Sequence, residues 1–440
     1  MKGIQMRKKS FCFVLALIIS LGMIGCNTST VSEVSSNQET IEKDVQLENV
    51  GLEEGATPEE AEGQEETLEP IPEEKEESEI VLMAVGDNLM HMGIVATGKQ
   101  EDDSYNYDVL FQGMEEYINA ADIRMINQET ILGGNDLGFS GYPLFNSPTQ
   151  VGDAIAKAGF NVVLHSSNHS ADKGLEGLVN CENFWESNYP QITMVGIYEE
   201  SNEEHPISIL EVQGKKFAIL NYTYSPNSEI LPKSMMGRLD MLCNWNKENG
   251  QIDFTTLHPQ VIRDIERAEE IADFTIVCPH WGTEYTTTPS TAQKNFAKQM
   301  ADAGADLIVG THPHVVQPVE WVEDSQGEKI LCYYSLGNYV STQKNPLCML
   351  EGMAWVTLVI TEEGIEICEE ETGMIPMVCH YTNSPVRFGK VYFLEEYSQE
   401  LASKHGIITY GDVEFKLEEL QQWKEEIIGE WSLSPTEVLK

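Results

Sequence analysis

Short apolar runs that stop abruptly at polar residues recur along most of this 440-residue chain. The first of them, residues 80–85, is apolar throughout and is followed by Gly86 and Asp87. Such runs are typical of strands that are buried on both faces, as in a parallel sheet. Stretches with helical spacing of apolar residues lie between several of them, which indicates βα units and an α/β fold. The predicted strands are 80–85, 121–126, 161–164, 274–278 and 306–309, and the predicted helices are 151–158, 175–188, 261–271 and 293–303.

The sequence becomes β-rich after residue 310 and polar again near its end. Further strands are predicted at 315–322, 329–334, 353–360 and 364–369. Residues 226–256 are polar and show no periodicity that would assign them to a helix or a strand. From about residue 387 the chain is polar and prone to form helices.

Side chains of the kinds that bind metal ions follow five of the predicted strands. They are Asp87, Asn127 with Glu129, Asn168 with His169, His280 with Glu284, and His312 with His314. Each taken singly is most simply a turn or helix-cap residue. Ligands of open α/β sheets, however, collect outside the carboxyl ends of strands, so together these residues indicate a metal site. The strongest element is His312-Pro313-His314, since alternate residues of an extended segment project to the same side.

The first residues of the chain have the features of an export signal. Three basic residues at positions 7–9 precede an apolar run at 11–24, which is shorter than the roughly 20 residues that span a bilayer. The run ends at Gly25-Cys26, and a small residue before cysteine resembles the bacterial lipobox, in which that cysteine is lipidated. We therefore expect a lipoprotein signal peptide at 1–25 and a protein anchored through Cys26 to the extracytoplasmic face of the cell membrane. An ordinary signal peptide that contains a cysteine is the alternative.

Residues 26–78 are predicted to be a disordered acidic linker. Between residues 27 and 79 there are 18 acidic residues and two lysines, three prolines and no aromatic residue. Such a segment cannot bury enough apolar surface to offset its chain entropy. The whole chain carries a net charge of −45. An acidic surface repels phosphate backbones, so we expect no nucleic-acid partner.

The order of the strand-end side chains resembles the ligand order of the calcineurin-like metallophosphoesterases, which hold two cations with oxygen and imidazole ligands. A closer resemblance, over roughly residues 79–380, is to the CapA family of poly-γ-glutamate capsule biosynthesis proteins. The motifs that carry it include Val85-Gly86-Asp87-Asn88-Leu89-Met90, Asn127-Gln128-Glu129, Ser167-Asn168-His169, His280-Trp281-Gly282-Thr283-Glu284-Tyr285, Gly310-Thr311-His312-Pro313-His314 and Tyr334-Ser335-Leu336-Gly337-Asn338-Tyr339.

The resemblance implies a metallophosphatase-like β-sandwich flanked by helices at residues 79–385. The polar, helix-prone residues 386–440 are predicted to form a helical C-terminal extension. It implies His169 as general acid and Asp87 as a candidate bridging ligand. The metal ligands that it implies are Asp87, Glu129, Asn168, His280, His312 and His314. Mixed imidazole and carboxylate ligands suit Mn, Fe or Zn. We expect one or two such divalent ions.

Two departures leave the number of ions open. The wider superfamily usually begins its ligand set with Asp-x-His, whereas Leu89 stands two residues after Asp87 and His91 stands four residues after it. The second carboxylate is Glu129 in place of the usual Asp. A single-ion site therefore stays open beside a two-ion site.

Two functions are consistent with these features. The first is a lipid-anchored, metal-dependent hydrolase or transferase that acts on an anionic surface polymer or its precursor. The alternative is a non-catalytic accessory subunit of a membrane polymer synthase complex, with the site used for polymer binding or only for stability. A purely structural wall lipoprotein would explain residues 1–79 and leave the strand-end ligands without a purpose.

Overall fold

Two mixed β-sheets form the core of residues 78–439, the part of the chain that the structure, a computed structural model, describes. The predicted signal peptide 1–25, the lipidation site Cys26 and the predicted linker 26–78, apart from Ser78, lie outside the described residues. Within the described part, no helix is both long enough and apolar enough to cross a lipid bilayer.

The strands and helices alternate over the first half of the described residues, and strands dominate after the second sheet is complete. The strands are β1 (Ser78–Asn88), β2 (Ile123–Asn127), β3 (Val162–Leu164), β4 (Thr193–Val195), β5 (Ser208–Val212), β6 (Lys215–Thr223), β7 (Cys243–Trp245), β8 (Ile252–Leu257), β9 (Phe274–His280), β10 (Leu307–Val309), β11 (Val319–Glu323), β12 (Lys329–Tyr333), β13 (Asn338–Val340), β14 (Leu350–Ile360), β15 (Ile365–Ile367), β16 (Gly373–Thr382) and β17 (Arg387–Phe393). The helices are α1 (Met92–Val95), α2 (Glu115–Ala120), α3 (Gln150–Ala158), α4 (Gly174–Asn188), α5 (Pro259–Ile271), α6 (Thr291–Ala303), α7 (Gln399–Lys404), α8 (Ile407–Gly411), α9 (Leu417–Ile427) and α10 (Pro435–Val438).

The first sheet has the order β17-β16-β14-β1-β2-β3-β4, with β13 also paired to β1 and β15 to β14. Strands β1 to β4 run parallel, and β14, β16 and β17 are antiparallel to their neighbours. The second sheet has the order β11-β12-β10-β9-β6-β5, with a parallel centre and an antiparallel strand at each edge. Strands β7 and β8 form a separate hairpin.

The two sheets pack face to face. Successive residues of a strand point to opposite faces of its sheet, so each strand contributes side chains to two apolar cores, one between the sheets and one beneath the helices. In β1, Leu82 and Ala84 belong to the core between the sheets, which also contains Ile276 and Leu307 of the second sheet. Met83 points the other way, into the core beneath the helices. The predicted fold class, an α/β sandwich of sheets flanked by helices, is therefore confirmed.

Helices cover the outer faces of both sheets. Helix α4 lies against the end of β3, where the indole N–H of Trp185 donates to Nε2 of His165 over 2.8 Å. Helix α5 contacts β9 through the carboxylate of Glu269, which accepts from the hydroxyl of Thr275. Helix α6 begins at a capping box, in which Ser290 and the third helical residue each satisfy a backbone N–H of the other. The contacts of α4 and α5 attach these helices to the sheets at the end of β3 and the start of β9.

The C-terminal segment predicted as a helical extension begins with strand β17, which forms one edge of the first sheet. Helices α7 to α10 follow it. Ile407 and Leu420 from these helices are buried in the same apolar core as Val356 of β14. The helical character predicted for this segment therefore applies to the residues after 398.

The structure also differs from the sequence prediction in other places. The strand predicted at 315–322 begins only at Val319, because residues 315–318 still belong to the loop that carries the two histidines. Strands β4, β5, β6, β13 and β16 were not predicted, although β6 lies between β5 and β9 inside the second sheet. The unassigned stretch 226–256 contributes the β7–β8 hairpin, whose β8 is mostly exposed and therefore shows no apolar pattern.

Gly86 allows the ends of β1 and β13 to approach closely. The backbone N–H of Asp87 donates to the carbonyl oxygen of Gly337 over 3.0 Å, and Asp87 pairs in register with Asn338. A Cβ atom at Gly86 would overlap that same carbonyl oxygen. The position of Asp87 therefore depends on the absence of a side chain at residue 86.

We expect Gly86→Ala to lower the free energy of unfolding by about 1–3 kcal/mol, the usual cost of overpacking. It should also reduce metal uptake, because β1 must move away from β13. Urea unfolding and elemental analysis measure the two effects. Gly214→Ala is the control: it lies in the turn between β5 and β6 at φ 75°, with open space around it. It should cost stability and leave metal uptake unchanged, and normal metal uptake by Gly86→Ala would contradict the prediction.

Candidate metal centre

The structure brings all seven predicted site residues to one place, at the carboxyl ends of strands from both sheets. Their exposed fractions are between 0 and 5 %. They come from the ends of β1, β2, β3, β9 and β10, so each lies where its apolar strand stops. The residues are Asp87, Glu129, Asn168, His169, His280, His312 and His314.

Asp87 is held by donors from two segments, the end of β2 and the loop that follows β10. Its Oδ1 accepts from the amide of Asn127 over 2.8 Å, and its Oδ2 lies 3.0 Å from Nδ1 of His314. Both oxygens lie 3.3 Å from the backbone nitrogen of His312. These contacts fix the carboxylate with one edge directed at the loop of the two histidines.

Glu129 has no hydrogen-bond partner for either carboxylate oxygen among the described residues, although the side chain is buried. Its Oε1 lies 3.9 Å from Nε2 of His280 and 3.9 Å from Nε2 of His169. Its Oε2 lies 3.8 Å from Nδ1 of His314. A buried carboxylate without partners is costly. Distances near 4 Å to several donor atoms leave room for a cation between them.

Asn168 and His280 approach each other across the two sheets. Oδ1 of Asn168 lies 2.9 Å from Nε2 of His280, and Nδ1 of His280 lies 3.0 Å from the hydroxyl of Thr311. The amide of Asn168 is oriented by Asn227, whose Oδ1 accepts from Nδ2 of Asn168 over 3.0 Å. Both atoms of the Asn168–His280 contact are of types that bind a metal ion, and ligands of one ion lie at about this separation.

His312 and His314 both have positive backbone φ angles, 99° and 59°. Such conformations are uncommon for residues with a side chain and cost of order 1–3 kcal/mol each. The contacts of Asp87 with both residues oppose this strain. Nδ1 of His312 has no hydrogen-bond partner among the described residues and is buried. The strained loop therefore presents a free imidazole nitrogen to the centre.

Three overlapping sets of donor atoms could each hold a cation, and the atoms of each set lie within 4.8 Å of one another. The sets are Glu129, His280 and His312; Asp87, Glu129 and His314; and Glu284, His312 and His314. Two ligands of one zinc-like ion are at most about 4.4 Å apart, so small side-chain rotations would complete any set. Glu129, rather than Asp87, is shared by the two fully buried sets. These residues fit the cation that the resemblance implies.

The carboxylates and histidines of the centre shift one another's pKa values, so that positive and negative charges partly offset each other. Burial raises the pKa of Glu129 well above its usual range, although His314 opposes the shift. Burial lowers the pKa values of His280 and His312 well below the usual range. Burial also lowers the pKa of His314, but Glu129 and Asp87 outweigh it and raise the pKa to about 9. Without metal, His314 therefore carries the proton that offsets the carboxylates, while His280 and His312 are neutral, the form that binds metal.

His169 lies at the edge of the donor sets. Its Nε2 faces Oε1 of Glu129, and its Nδ1 lies 2.7 Å from Oδ2 of Asp172. The ring of Phe145 packs edge-on against it, with ring centres 4.6 Å apart. His169 is thus placed to hold a proton next to a cation without itself belonging to a donor set.

Two residues that contact the centre, Asn338 and Asn127, were not among the predicted metal ligands, although Asn127 was noted as a metal-type side chain at a strand end. Asn338 accepts from Nδ1 of His314 with Oδ1, over 3.1 Å. Asn127 donates to Asp87, and its own Oδ1 is buried without a partner among the described residues. The strand pairing of Asp87 with Asn338 and the position of Asn127 at a strand end are the signals that could have identified them. His91 instead accepts from the backbone N–H of Thr342 and belongs to none of the donor sets.

The fold and the site define an α/β sandwich protein with a candidate metal centre between its two sheets. The family model described as "Bacterial capsule synthesis protein PGA_cap" matches residues 81–343, more than half of the chain. The protein belongs to this family of capsule synthesis proteins.

Two curated relatives carry CapA names. The chain is 28% identical over 288 residues to the capsule biosynthesis protein CapA of Bacillus anthracis, covering 63% of each chain. It is 32% identical over 186 residues to the PGA biosynthesis protein CapA of Bacillus subtilis (strain 168), covering 42% of this chain and 43% of the relative. The matched segments therefore span less than two thirds of either relative.

Two solved structures show weaker similarity. A hypothetical protein from Thermus thermophilus aligns with a TM-score of 0.39 at 14% identity, over 68% of this chain and 99% of that one. The Thermus thermophilus sulfate thiohydrolase SoxB, in complex with glycerol, aligns with a TM-score of 0.33 at 12% identity, over 72% of this chain and 45% of that one. Similarity at this level supports no conclusion about the site.

We expect Glu129→Gln to lower metal affinity at least tenfold, because it removes the charge shared by the two buried donor sets. Elemental analysis after dialysis against a defined metal buffer measures the loss. Glu351→Gln is the matched control: Glu351 is equally buried and also lacks partners among the described residues, but it belongs to none of the donor sets. Equal metal content in both variants would show that Glu129 is not a ligand.

Metal affinity should rise with pH between about 6.5 and 8.5. A folded-state pKa of about 9 means that His314 is protonated across this range. A cation that binds the imidazole nitrogen of His314 must therefore displace that proton. The apparent affinity should then increase about tenfold per pH unit for each proton released. Chelator competition at three pH values measures the slope, and calorimetry in two buffers counts the protons. A flat profile would contradict the assigned protonation.

Proposed function

We propose that this protein is a lipid-anchored, extracytoplasmic, metal-dependent hydrolase or transferase that acts on an anionic surface polymer of the poly-γ-glutamate type or on its precursor. Membership of the capsule synthesis family supports the polymer class. The observation that supports a metal-dependent reaction is the buried carboxylate of Glu129. It has no hydrogen-bond partner among the described residues and belongs to two sets of metal-type donors. A buried carboxylate without partners is costly, and Glu129, unlike the equally buried Glu351, lies among metal-type donors, which suits a cation site.

One or two ions of Mn, Fe or Zn fit the mixed ligands. Asp87, Glu129 and His314 would hold one, and Asn168, His280 and His312, together with Glu129, would hold the other. When bound, such an ion stabilises developing negative charge and lowers the pKa of a bound water.

The residues of this chain supply orientation and proton transfer. His169 can hold a proton on Nε2, facing the donor sets, and pass it to a leaving group. Tyr224 and Tyr285 flank His312 and His314, with ring centres 4.6 and 5.9 Å apart, and so limit the directions from which a substrate can approach. Tyr285 and its neighbour Glu284 are exposed, which marks the open side of the centre.

The acidity of the chain is consistent with a cation-dependent substrate site. The net charge of −45 repels a polyanion at long range. Bound cations would offset that repulsion at one point of the surface. A polyanionic substrate would then be held only at the metal centre.

The alternative proposal is an accessory subunit of a membrane polymer synthase complex, with no catalysis. The depth of the centre favours it: Asp87, Glu129 and His280 are at most 1% exposed. A metal bound so deeply would stabilise the fold even if no substrate reached it.

Complementation of a polymer-producing host that lacks its own copy of the gene distinguishes the two proposals. For the enzyme we expect His169→Gln to reduce polymer yield by about 10²-fold or more, the usual contribution of a general acid, with normal protein level and metal content. Cys26→Ser should release the protein from the membrane fraction. His205→Gln, at a half-buried histidine stacked on Tyr198, is the matched control. Normal yield with His169→Gln and loss of yield with Cys26→Ser would instead support the accessory subunit.

A further inference from the structure

Three of the eight large apolar side chains that are exposed among the described residues lie together on the surface. Tyr142, Leu144 and Met92 are 80, 56 and 47% exposed. Met92, the first residue of helix α1, packs against the loop of the other two, since a Cβ atom at Gly141 would lie 3.0 Å from the Cγ of Met92. Pro143, between Tyr142 and Leu144, is exposed as well. We call Met92, Tyr142, Pro143 and Leu144 the apolar tip.

Hydrogen bonds hold the loop of the apolar tip in one shape. Ser140 and Asn146 exchange two backbone hydrogen bonds of 3.2 and 2.9 Å, and the hydroxyl of Ser140 donates to the carbonyl oxygen of Leu144. The side-chain amide of Asn146 donates to the carbonyl oxygens of Gly134 and Gly138. Single exposed apolar side chains are normal on a protein surface, whereas a contiguous group of them marks an interaction site. The tip is therefore a candidate interaction surface.

The two segments that form the apolar tip lack charged residues. Residues 88–98 and 137–152 contain no Asp, Glu, Lys or Arg, although 22% of the chain is charged and its net charge is −45. A second copy of the chain would bring another strongly acidic surface against the first, which long-range repulsion opposes. A bilayer of zwitterionic lipid would not, and tyrosine is enriched where proteins meet the membrane–water interface. The charge pattern therefore favours a lipid surface as the partner of the tip.

The chain outside the described residues is long enough to let the tip reach a membrane. Ser78, the first residue of β1, stands 52 residues after Cys26, the predicted lipidation site. A chain of that length spans at most about 190 Å. An anchor within this reach gives the tip a high effective concentration at the bilayer, so that even a weak affinity suffices for contact.

We propose that the apolar tip inserts into the headgroup region of the membrane that anchors the protein, to the depth of about 5–10 Å that is usual for interfacial apolar side chains. This inference rests on the lipid anchor of the proposed function. Phe145, which follows the tip in the loop, is buried, and its ring centre lies 4.6 Å from that of His169. Insertion would therefore hold the candidate metal centre at the membrane surface, next to the membrane-proximal part of the polymer or its precursor.

The test uses the full-length, lipidated protein in phosphatidylcholine vesicles, with a nitroxide spin label on Leu144→Cys. The background is Cys368→Ser, because the other described cysteines are buried. Flotation with the vesicles first shows that the protein is anchored. The label should then collide more often with oxygen, which concentrates in the bilayer, than with a water-soluble nickel complex. A label on Tyr142→Cys, which is also exposed, should behave in the same way.

Ile230→Cys is the matched control, because Ile230 is 51% exposed and lies outside the apolar tip. Its label should stay accessible to the nickel complex, and the oxygen-to-nickel collision ratio at Leu144 should exceed it at least about threefold. Equal ratios in the floated protein would overturn the inference and leave the anchor intact. Dipolar coupling between Leu144 labels that disappears on dilution with unlabelled protein would also overturn it, since a second copy would then cover the tip.

Two further outcomes separate this inference from the proposed function. A full-length protein that does not float with the vesicles would overturn the lipid anchor and the membrane contact together. Normal polymer yield from His169→Gln would overturn the proposed catalysis alone, because the collision ratios still decide whether the apolar tip enters the bilayer.

Discussion

Two carboxylates, Asp87 and Glu129, are buried in the same small volume, and the rest of the site follows from the need to balance their charge. Taking an ionised carboxylate out of water costs several kcal/mol even after relaxation, so each needs donors or a positive charge. Asp87 receives donors from Asn127 and the backbone of His312. Glu129 receives none from the described residues. Its charge is removed by a proton on Glu129 itself, whose pKa burial raises, or offset by a protonated His314 or a bound cation. The stability of the centre and its occupancy by a cation are therefore linked.

The sandwich of two sheets explains why five separate loops can meet. Strands β1, β2 and β3 of the first sheet and β9 and β10 of the second are parallel within their sheets, so their carboxyl ends lie at one edge of each. Face-to-face packing through residues such as Leu82 and Ile276 then brings the two edges together. The close approach at Gly86 and the strained backbone at His312 are the local adjustments that this convergence requires. They are stabilised by hydrogen bonds within the site rather than by the apolar core.

The family relationship and the geometry address different parts of the function. Membership of the capsule synthesis family points to a surface polymer, whereas the donor sets point to a cation and to chemistry at charged groups. The depth of the centre is the feature that both proposals must accommodate: its seven predicted residues are at most 5% exposed, whereas the neighbouring Glu284 and Tyr285 are exposed. Asp172 contacts the candidate general acid His169, and its carboxylate accepts from the backbone N–H of Phe145. The surroundings of His169 therefore include a segment outside the sheets.

The sequence by itself determined the α/β fold class, the main strands and helices, and which residues stand at strand ends, because apolar periodicity and abrupt polar stops are local properties of the chain. It therefore predicted Asp87, Glu129, Asn168, His169, His280, His312 and His314 as one group. It could not show that Glu129 rather than Asp87 is shared by the buried donor sets, that Asn338 and Asp172 orient two of the histidines, or that β6 is a central strand. Those facts depend on distances between segments that are far apart in the chain. Only the packing of one sheet on the other sets those distances.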